Sequence, residues 1–238
     1  MEMISIVFVL VGFASALVSA VFGFGTALIF LAIGSYLLPI KEAIALASVL
    51  FLASTLTKSL VYGRHIDWKL AGVMSFASVP FAYLGALFLD DLPGDTLKRS
   101  LGLMVLAYIG LRRFDILPRF RVGRMGLVAG SAAYGFVSGL LGSGNIVKAV
   151  IFREMNITKE AFVGAMAATS VLANMAKLHG YYQFGLLDVT RFWLMTGLVA
   201  AAISAVLVGR FLLRSVSVTQ FEYGLEVVLL VCAFGLIF

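Results

Sequence analysis

The chain has 238 residues, 62% of them hydrophobic and only 13% charged, with a mean hydropathy of +1.07. That is far more apolar than a soluble domain of average usage, which excludes a soluble enzyme and implies a polytopic membrane protein. The net charge of +6 then reflects loop lysines and arginines placed by membrane insertion and is no argument for a nucleic-acid partner.

In chain order, the apolar segments read Ile4 to Phe22, Thr26 to Leu38, Ala43 to Tyr62, Leu70 to Leu89 and Leu97 to Leu111. After a polar gap come Gly126 to Leu141, Ile146 to Phe152, Ala161 to Phe184, Phe192 to Leu213 and Phe221 to Phe238. About 20 apolar residues span a bilayer core roughly 30 Å thick. Only helices or closed barrels satisfy backbone groups in lipid, and no ten-residue alternation is present, so an all-α fold is expected. Met1-Glu2-Met3 lacks the basic stretch of a secretory signal, and the first Lys or Arg is Lys41, so the first helix is expected to be retained. A single cysteine, Cys232, offers neither a disulfide framework nor a cysteine metal cluster. No cofactor or metal is expected, and no G-x-x-x-x-G-K-[ST] motif implies nucleotide binding. The aromatic residues Tyr62, Trp68, Tyr181, Tyr182 and Trp193 fall at segment ends, where an interfacial belt is expected.

The longest polar gap runs from Arg112 to Arg124, contains Pro118, and divides the chain into residues 1–112, a basic linker 113–124 and residues 125–238. The two parts resemble each other. Phe22-Gly23-Phe24-Gly25 matches Leu141-Gly142-Ser143-Gly144, and Lys41-Glu42-Ala43 matches Lys159-Glu160-Ala161. Ala47-Ser48-Val49-Leu50 matches Thr169-Ser170-Val171-Leu172, and Gly63 with Asp67 matches Gly185 with Asp188. Four matches in the same order are expected of two homologous membrane repeats, each with about four helical segments and each opening on a glycine-broken one.

Two topologies follow from the glycine breaks. If each broken segment crosses the membrane, the repeats are parallel and the loop cations divide eight against seven. If each is a hairpin that enters and leaves on one face, the repeats are inverted. Arg64, Lys69, Arg112, Arg113, Arg119, Arg121, Arg124, Arg153, Lys159, Arg210 and Arg214 then share one face, leaving Lys41, Lys98, Arg99 and Arg191 on the other. The positive-inside bias favours the second arrangement, with the basic linker cytoplasmic and both termini outside.

Three lysines lie within apolar segments: Lys58, Lys148 and Lys177. A charged residue at a helix centre costs about 2.5–3.5 kcal/mol on insertion scales, so each marks a candidate site. Lys58 lies near a segment end and is also able to snorkel to the interface. An interrupted helix exposes N–H donors at the positive end of its dipole, so each break is able to hold an anion. The breaks supply Gly23, Gly25 and Thr26, and Gly142, Ser143, Gly144 and Asn145. The plain alternative is that such glycines serve close helix packing. Ser170, Asn174 and Lys177 share a helix face at one-turn spacings, with Ser48 and His179 as secondary candidates.

Two halves that each open with a glycine-broken helix, then a Lys-Glu-Ala step, then an Ala/Thr-Ser-Val-Leu helix ending near a Gly and an Asp, resemble the sulfite exporter TauE/SafE family, also called toluene sulfonate uptake permeases. The resemblance covers essentially the whole chain. It implies a secondary carrier for sulfonates or sulfite-like sulfur oxyanions in the bacterial inner membrane, not an enzyme, with its site between the halves. The expected partners are a small anion and the lipid bilayer, with either protons or the membrane potential as the driving force. The alternative is an intramembrane serine protease using Ser143 and His179, which asks for an asymmetric dyad where the sequence offers duplicated breaks.

Overall fold

The computed structural model describes residues 2–23, 25–113, 123–153 and 158–213, with residues 230, 233, 234, 236 and 237 of the tail. Phe24, most of the expected linker with Pro118, Arg119 and Arg121, and Arg214 lie outside the described residues. So does nearly all of the last segment, including Glu222, Glu226 and Cys232.

The described chain is helical, as the hydropathy requires. It runs α1 (Glu2–Phe22), α2 (Thr26–Leu37), α3 (Ile40–Val61), α4 (Trp68–Leu89), α5 (Gly94–Arg113), α6 (Arg124–Leu141), α7 (Asn145–Arg153), α8 (Lys159–Gln183) and α9 (Phe192–Leu212). Among these, α1, α3, α4, α8 and the stretch Val189–Leu212 are long and apolar enough to cross a membrane, and α2 is a shorter apolar helix. The protein is therefore a multi-pass membrane protein.

Both breaks end a long helix in the same way. Gly23 has φ +81° and Gly142 φ +77°, the left-handed region that a side chain rarely adopts. The chain then reverses. Val18 of α1 lies beside Gly25 and Phe8 beside Gly34, so α2 returns along α1. Likewise Tyr134 of α6 lies against Gly144 and Gly130 against Ile151, so α7 returns along α6. These are hairpins, not single crossings interrupted midway.

At the centre of the bundle, α3 and α8 run antiparallel, with Tyr62 beside Gly164 and Thr55 hydrogen-bonded to Asn174. The other large contacts join helices distant in the chain. α6 runs parallel to α4, and α1 runs parallel to α9, with Val9 beside Gly197 and Ala20 beside Gly209. On α6, Gly135 and Gly139 let the backbones of α4 and α6 approach closely. A Cβ at Gly139 would stand 2.1 Å from the Ala82 carbonyl oxygen. Small residues at i, i+4 are the usual means of such approach in lipid, where van der Waals packing replaces the hydrophobic drive.

The charged ends sort as the hairpin arrangement expects. Arg191 pairs with Glu42 at 2.7 Å and Lys41 with Asp90 at 3.1 Å at one end of the bundle. Arg64, His65, Glu160 and Arg210 frame one pocket at the other. The arrangement with single broken crossings would separate Arg191 from Lys41 and Arg64 from Arg210. Asp67 and Asp188 play matching parts. Asp67 accepts the Lys69 and Leu70 N–H groups, and Asp188 accepts the Thr190 N–H. The Thr190 hydroxyl and N–H, with a smaller contribution from Arg191, hold the Asp188 carboxyl below its ordinary value against slight desolvation.

Two of the expected belt aromatics are instead interior. Tyr62 and Tyr181 are buried because each packs against another helix, Tyr62 on Val163 and Gly164 of α8, and Tyr181 on α6, where it donates to the Gly139 carbonyl. Trp68, Tyr182 and Trp193 are exposed, as a belt requires.

Candidate functional site

The two breaks meet α3 and α8 around one small cavity of about 30 Å³. Its wall includes Ser19, Gly23 and Thr26 from the first break, and Ser138, Gly142, Ser143 and Asn145 from the second. From the central helices come Ser54, Thr55 and Lys58 on α3 and Ser170, Asn174 and Lys177 on α8. No carboxylate is among these described wall residues.

The polar contacts repeat at a fixed spacing. Lys58 donates to Ser19 at 2.7 Å, and Lys177 donates to Ser138 at 3.2 Å; in each pair the residues are 39 apart. Asn174 donates to Thr55 at 3.1 Å, and these two are 119 apart, the same step that carries Ser19 to Ser138 and Lys58 to Lys177. At that step Ser170 corresponds to Phe51, not to Ser48, whose hydroxyl donates back to the Ala45 carbonyl at 2.6 Å outside the cavity wall.

Each serine oxygen that accepts from an ammonium group leaves its own proton for a further acceptor. Lysine and serine thus present donors together. The Ser54 and Ser143 hydroxyls also face this cavity, and both are buried without a hydrogen-bond partner among the described residues. An unsatisfied buried hydroxyl costs about 1–3 kcal/mol, which makes two of them on one wall an argument for a ligand that pairs with them. The N-terminal turn of α2 adds further positive character, because Gly25 supplies no side-chain cap.

Lys177 also donates to the Gly142 carbonyl at 2.8 Å and stands 5.2 Å from the centre of the Phe51 ring. It therefore closes the C-terminal end of α6, where a cation suits the dipole, as well as facing the cavity.

Lys148 differs from the expectation of direct contact. It is wholly buried but is not part of the cavity wall. Its ammonium donates to the Met166 carbonyl at 2.8 Å, to Thr169 at 3.3 Å and to Ser170, and lies 4.2 Å from the Tyr134 ring centre. Since Ser170 and Tyr134 do line the cavity, Lys148 sits one layer behind them. Gly25 and Gly144 shape the breaks without lining the cavity. A Cβ at Gly144 would come within 2.6 Å of the Tyr134 carbonyl oxygen. His179 is exposed and stacked on Tyr83 at 6.3 Å, away from Ser143, so the serine–histidine dyad has no geometric support.

Ser19, Ser138 and Tyr134 do not stand out in the sequence, and Ser54 and Thr55 read there as packing and back-bonding residues of a membrane helix. A signal for Ser19 and Ser138 is present: they stand four residues before Gly23 and Gly142, respectively, giving Ser-x-x-x-Gly-x-Gly twice.

Comparison with known proteins agrees in extent. The family model described as "Sulfite exporter TauE/SafE" matches residues 8–236. No match was found among curated proteins or among solved structures.

Proposed function

The chain belongs to the sulfite exporter TauE/SafE family of membrane transporters, and on that footing we propose that it is a secondary carrier of a small sulfur oxyanion. The observation that carries this reading is the wall of the central cavity. It sets Lys58 and Lys177, each hydrogen-bonded to a serine, beside the Ser54 and Ser143 hydroxyls, which have no partner among the described residues, and its described wall holds no carboxylate. Buried positive charge without a protein counter-ion asks for an anion. A cavity near 30 Å³ suits a compact oxyanion such as sulfite better than a ring-bearing sulfonate, since drug-sized ligands occupy several hundred Å³.

In the proposed cycle, residues 1–112 and 125–238 act as inverted repeats joined by the basic linker. Support comes from the antiparallel course of α3 and α8 and from the contacts that recur 119 residues apart. The two hairpin tips alternate in closing the cavity, and rocking about the α3–α8 contact exposes it to one face and then the other. In each state a lysine–serine pair ties a hairpin to a central helix. The anion competes for that lysine, which links binding to release of the hairpin. Lys58, Lys177 and Tyr134 are the ionisable side chains of the described wall, and we assign the proton as coupling ion on that basis. The membrane is proposed to be the bacterial inner membrane, with the linker face cytoplasmic.

The test is a thermal-shift screen of purified protein against sulfite, sulfate, thiosulfate, taurine, sulfoacetate, aromatic sulfonates and an organic cation. Small inorganic oxyanions are expected to raise the melting temperature and aromatic sulfonates to leave it unchanged. Stabilisation by the cation alone would overturn the reading.

A further inference from the structure

A second polar pocket, of about 370 Å³, opens at the end of the bundle where α3 turns into α4. Arg64 and His65 reach it from the Gly63–His65 turn, Glu160 from the first turn of α8, and Arg210 from the last turn of α9. At the opposite end of the bundle Lys98 and Arg99 have no ion pair among the described residues, but the other two cations do. There Lys41 and Arg191 are each held by a carboxylate, Asp90 and Glu42. Among the described residues neither Arg64 nor Arg210 has an ion pair, although Glu160 shares their pocket. Insertion bias accounts for basic residues on one face. It does not account for two guanidinium groups, from two separate elements, converging on one concavity with no carboxylate paired to either among the described residues, Arg210 having only the Phe211 ring at 5.5 Å.

The floor of this pocket leads toward the first break. Tyr62 lines it and packs against Val163 in one buried cluster. Val163 in turn lies against Gly23, where a Cβ would meet its side chain at 3.5 Å. One turn below Tyr62, whose N–H donates to the Lys58 carbonyl at 2.9 Å, stands the lysine that faces the central cavity. Outer pocket, hairpin tip and buried lysine therefore follow one another within a few residues' reach.

We propose that Arg64, His65 and Arg210 form a second, shallow binding site for the transported oxyanion, from which it passes to the cavity behind the Gly23 break; this rests on the anion-carrier reading above. The two guanidinium groups present fixed positive charge to an approaching oxyanion. At this exposed position they capture the anion by a field that salt screens within about 8–10 Å. Glu160 keeps the site from holding the anion tightly, so that it releases it inward.

The experiment measures sulfite transport in proteoliposomes, with sulfite presented to each face in turn, for wild type, Arg64→Gln/Arg210→Gln and the charge-preserving Arg64→Lys/Arg210→Lys. At low salt the glutamine variant should raise KM about 5-fold from the Arg64 face with Vmax unchanged. From the opposite face it should lower Vmax about 5-fold with KM unchanged, because release through the pocket is slowed there and the driving force fixes the ratio of Vmax/KM between the two directions. The difference should fall below about 2-fold near 0.5 M salt, as screening requires. The lysine variant should stay within about 2-fold of wild type, which separates charge from folding. Equal KM values for wild type and the glutamine variant overturn the proposal, and so does an equal rise from both faces. Vesicles of neutral lipid with and without added anionic lipid separate the two sources of oxyanion. A KM effect seen only with anionic lipid means that the pocket holds a lipid headgroup and overturns transfer of the free anion. A wild type that moves no sulfite from either face overturns the carrier reading and this proposal with it, a result distinct from a working wild type with an unaffected variant.

Discussion

Lys177→Met is the sharpest probe of the central cavity. The substitution keeps the length and apolar stem of the side chain and deletes the ammonium group that reaches Ser138 at 3.2 Å and Gly142 O at 2.8 Å. For the unliganded protein two effects oppose each other. Removing the charge from the membrane interior relieves about 2.5–3.5 kcal/mol. Leaving the Gly142 carbonyl without its donor costs about 1–3 kcal/mol. The net change in stability is therefore near zero or slightly favourable.

For a bound anion there is no such compensation. A hydrogen bond to a charged group is worth about 1.5–3 kcal/mol, which corresponds to a Kd raised roughly 10- to 150-fold. With sulfite at about 100 times the wild-type Kd, ligand stabilisation should fall from about 2.7 kcal/mol to about 0.4 kcal/mol if the Kd rises a hundredfold. Calorimetric titration gives the affinity, and thermal unfolding with and without sulfite gives the stabilisation. A variant that unfolds several degrees earlier without ligand yet binds sulfite as tightly as wild type would refute the reasoning. Lys177 would then be only the cap of α6.

Ser143→Ala removes a buried hydroxyl with no partner among the described residues, so unliganded stability should hold or rise by up to about 1 kcal/mol while sulfite affinity falls several-fold, measured by the same two assays. Lys148→Met should weaken sulfite binding less than Lys177→Met, because Lys148 stands behind Ser170 and Tyr134, and should lower the melting temperature more, because it ties α7 to α8; parallel titration and unfolding of the two variants check the order. Gly139→Val places a Cβ against the Ala82 carbonyl and should destabilise the fold by about 1–3 kcal/mol or more, whereas Gly72→Ala, with nothing within 4 Å, should be neutral or slightly stabilising in the same denaturation assay. Single cysteines at Lys41 and Arg210, in a background lacking Cys232, should react with an impermeant maleimide from opposite faces of the membrane; labelling from the same face would overturn the hairpin topology.

Much of the architecture is legible in the sequence because it is written locally. Apolar runs of about 20 residues become helices since lipid leaves the backbone no other partner. Gly23 and Gly142 end their helices because the left-handed conformation they need is cheap only for glycine. The buried lysines are visible for the same reason: an ion in an apolar run is costly wherever its helix points. Helix caps such as Asp67 and Asp188 also depend only on near neighbours.

What a lysine touches is not local. Lys58, Lys148 and Lys177 look alike in sequence, yet two line the cavity and one stands behind its wall. That difference is set by α8 and the hairpins meeting across 18 to 39 residues of chain. The pairing of α1 with α9 and of α4 with α6 likewise follows from shape matching between small-residue faces, which no single segment encodes. Ser19 and Ser138 are ordinary serines until a lysine from another helix is placed on each. From sequence alone come the membrane class, the helices, the paired breaks and the sign of the buried charge. Only the tertiary structure decides which charges face one another, because desolvation is a property of a residue in its segment, whereas a hydrogen bond needs two segments at one place.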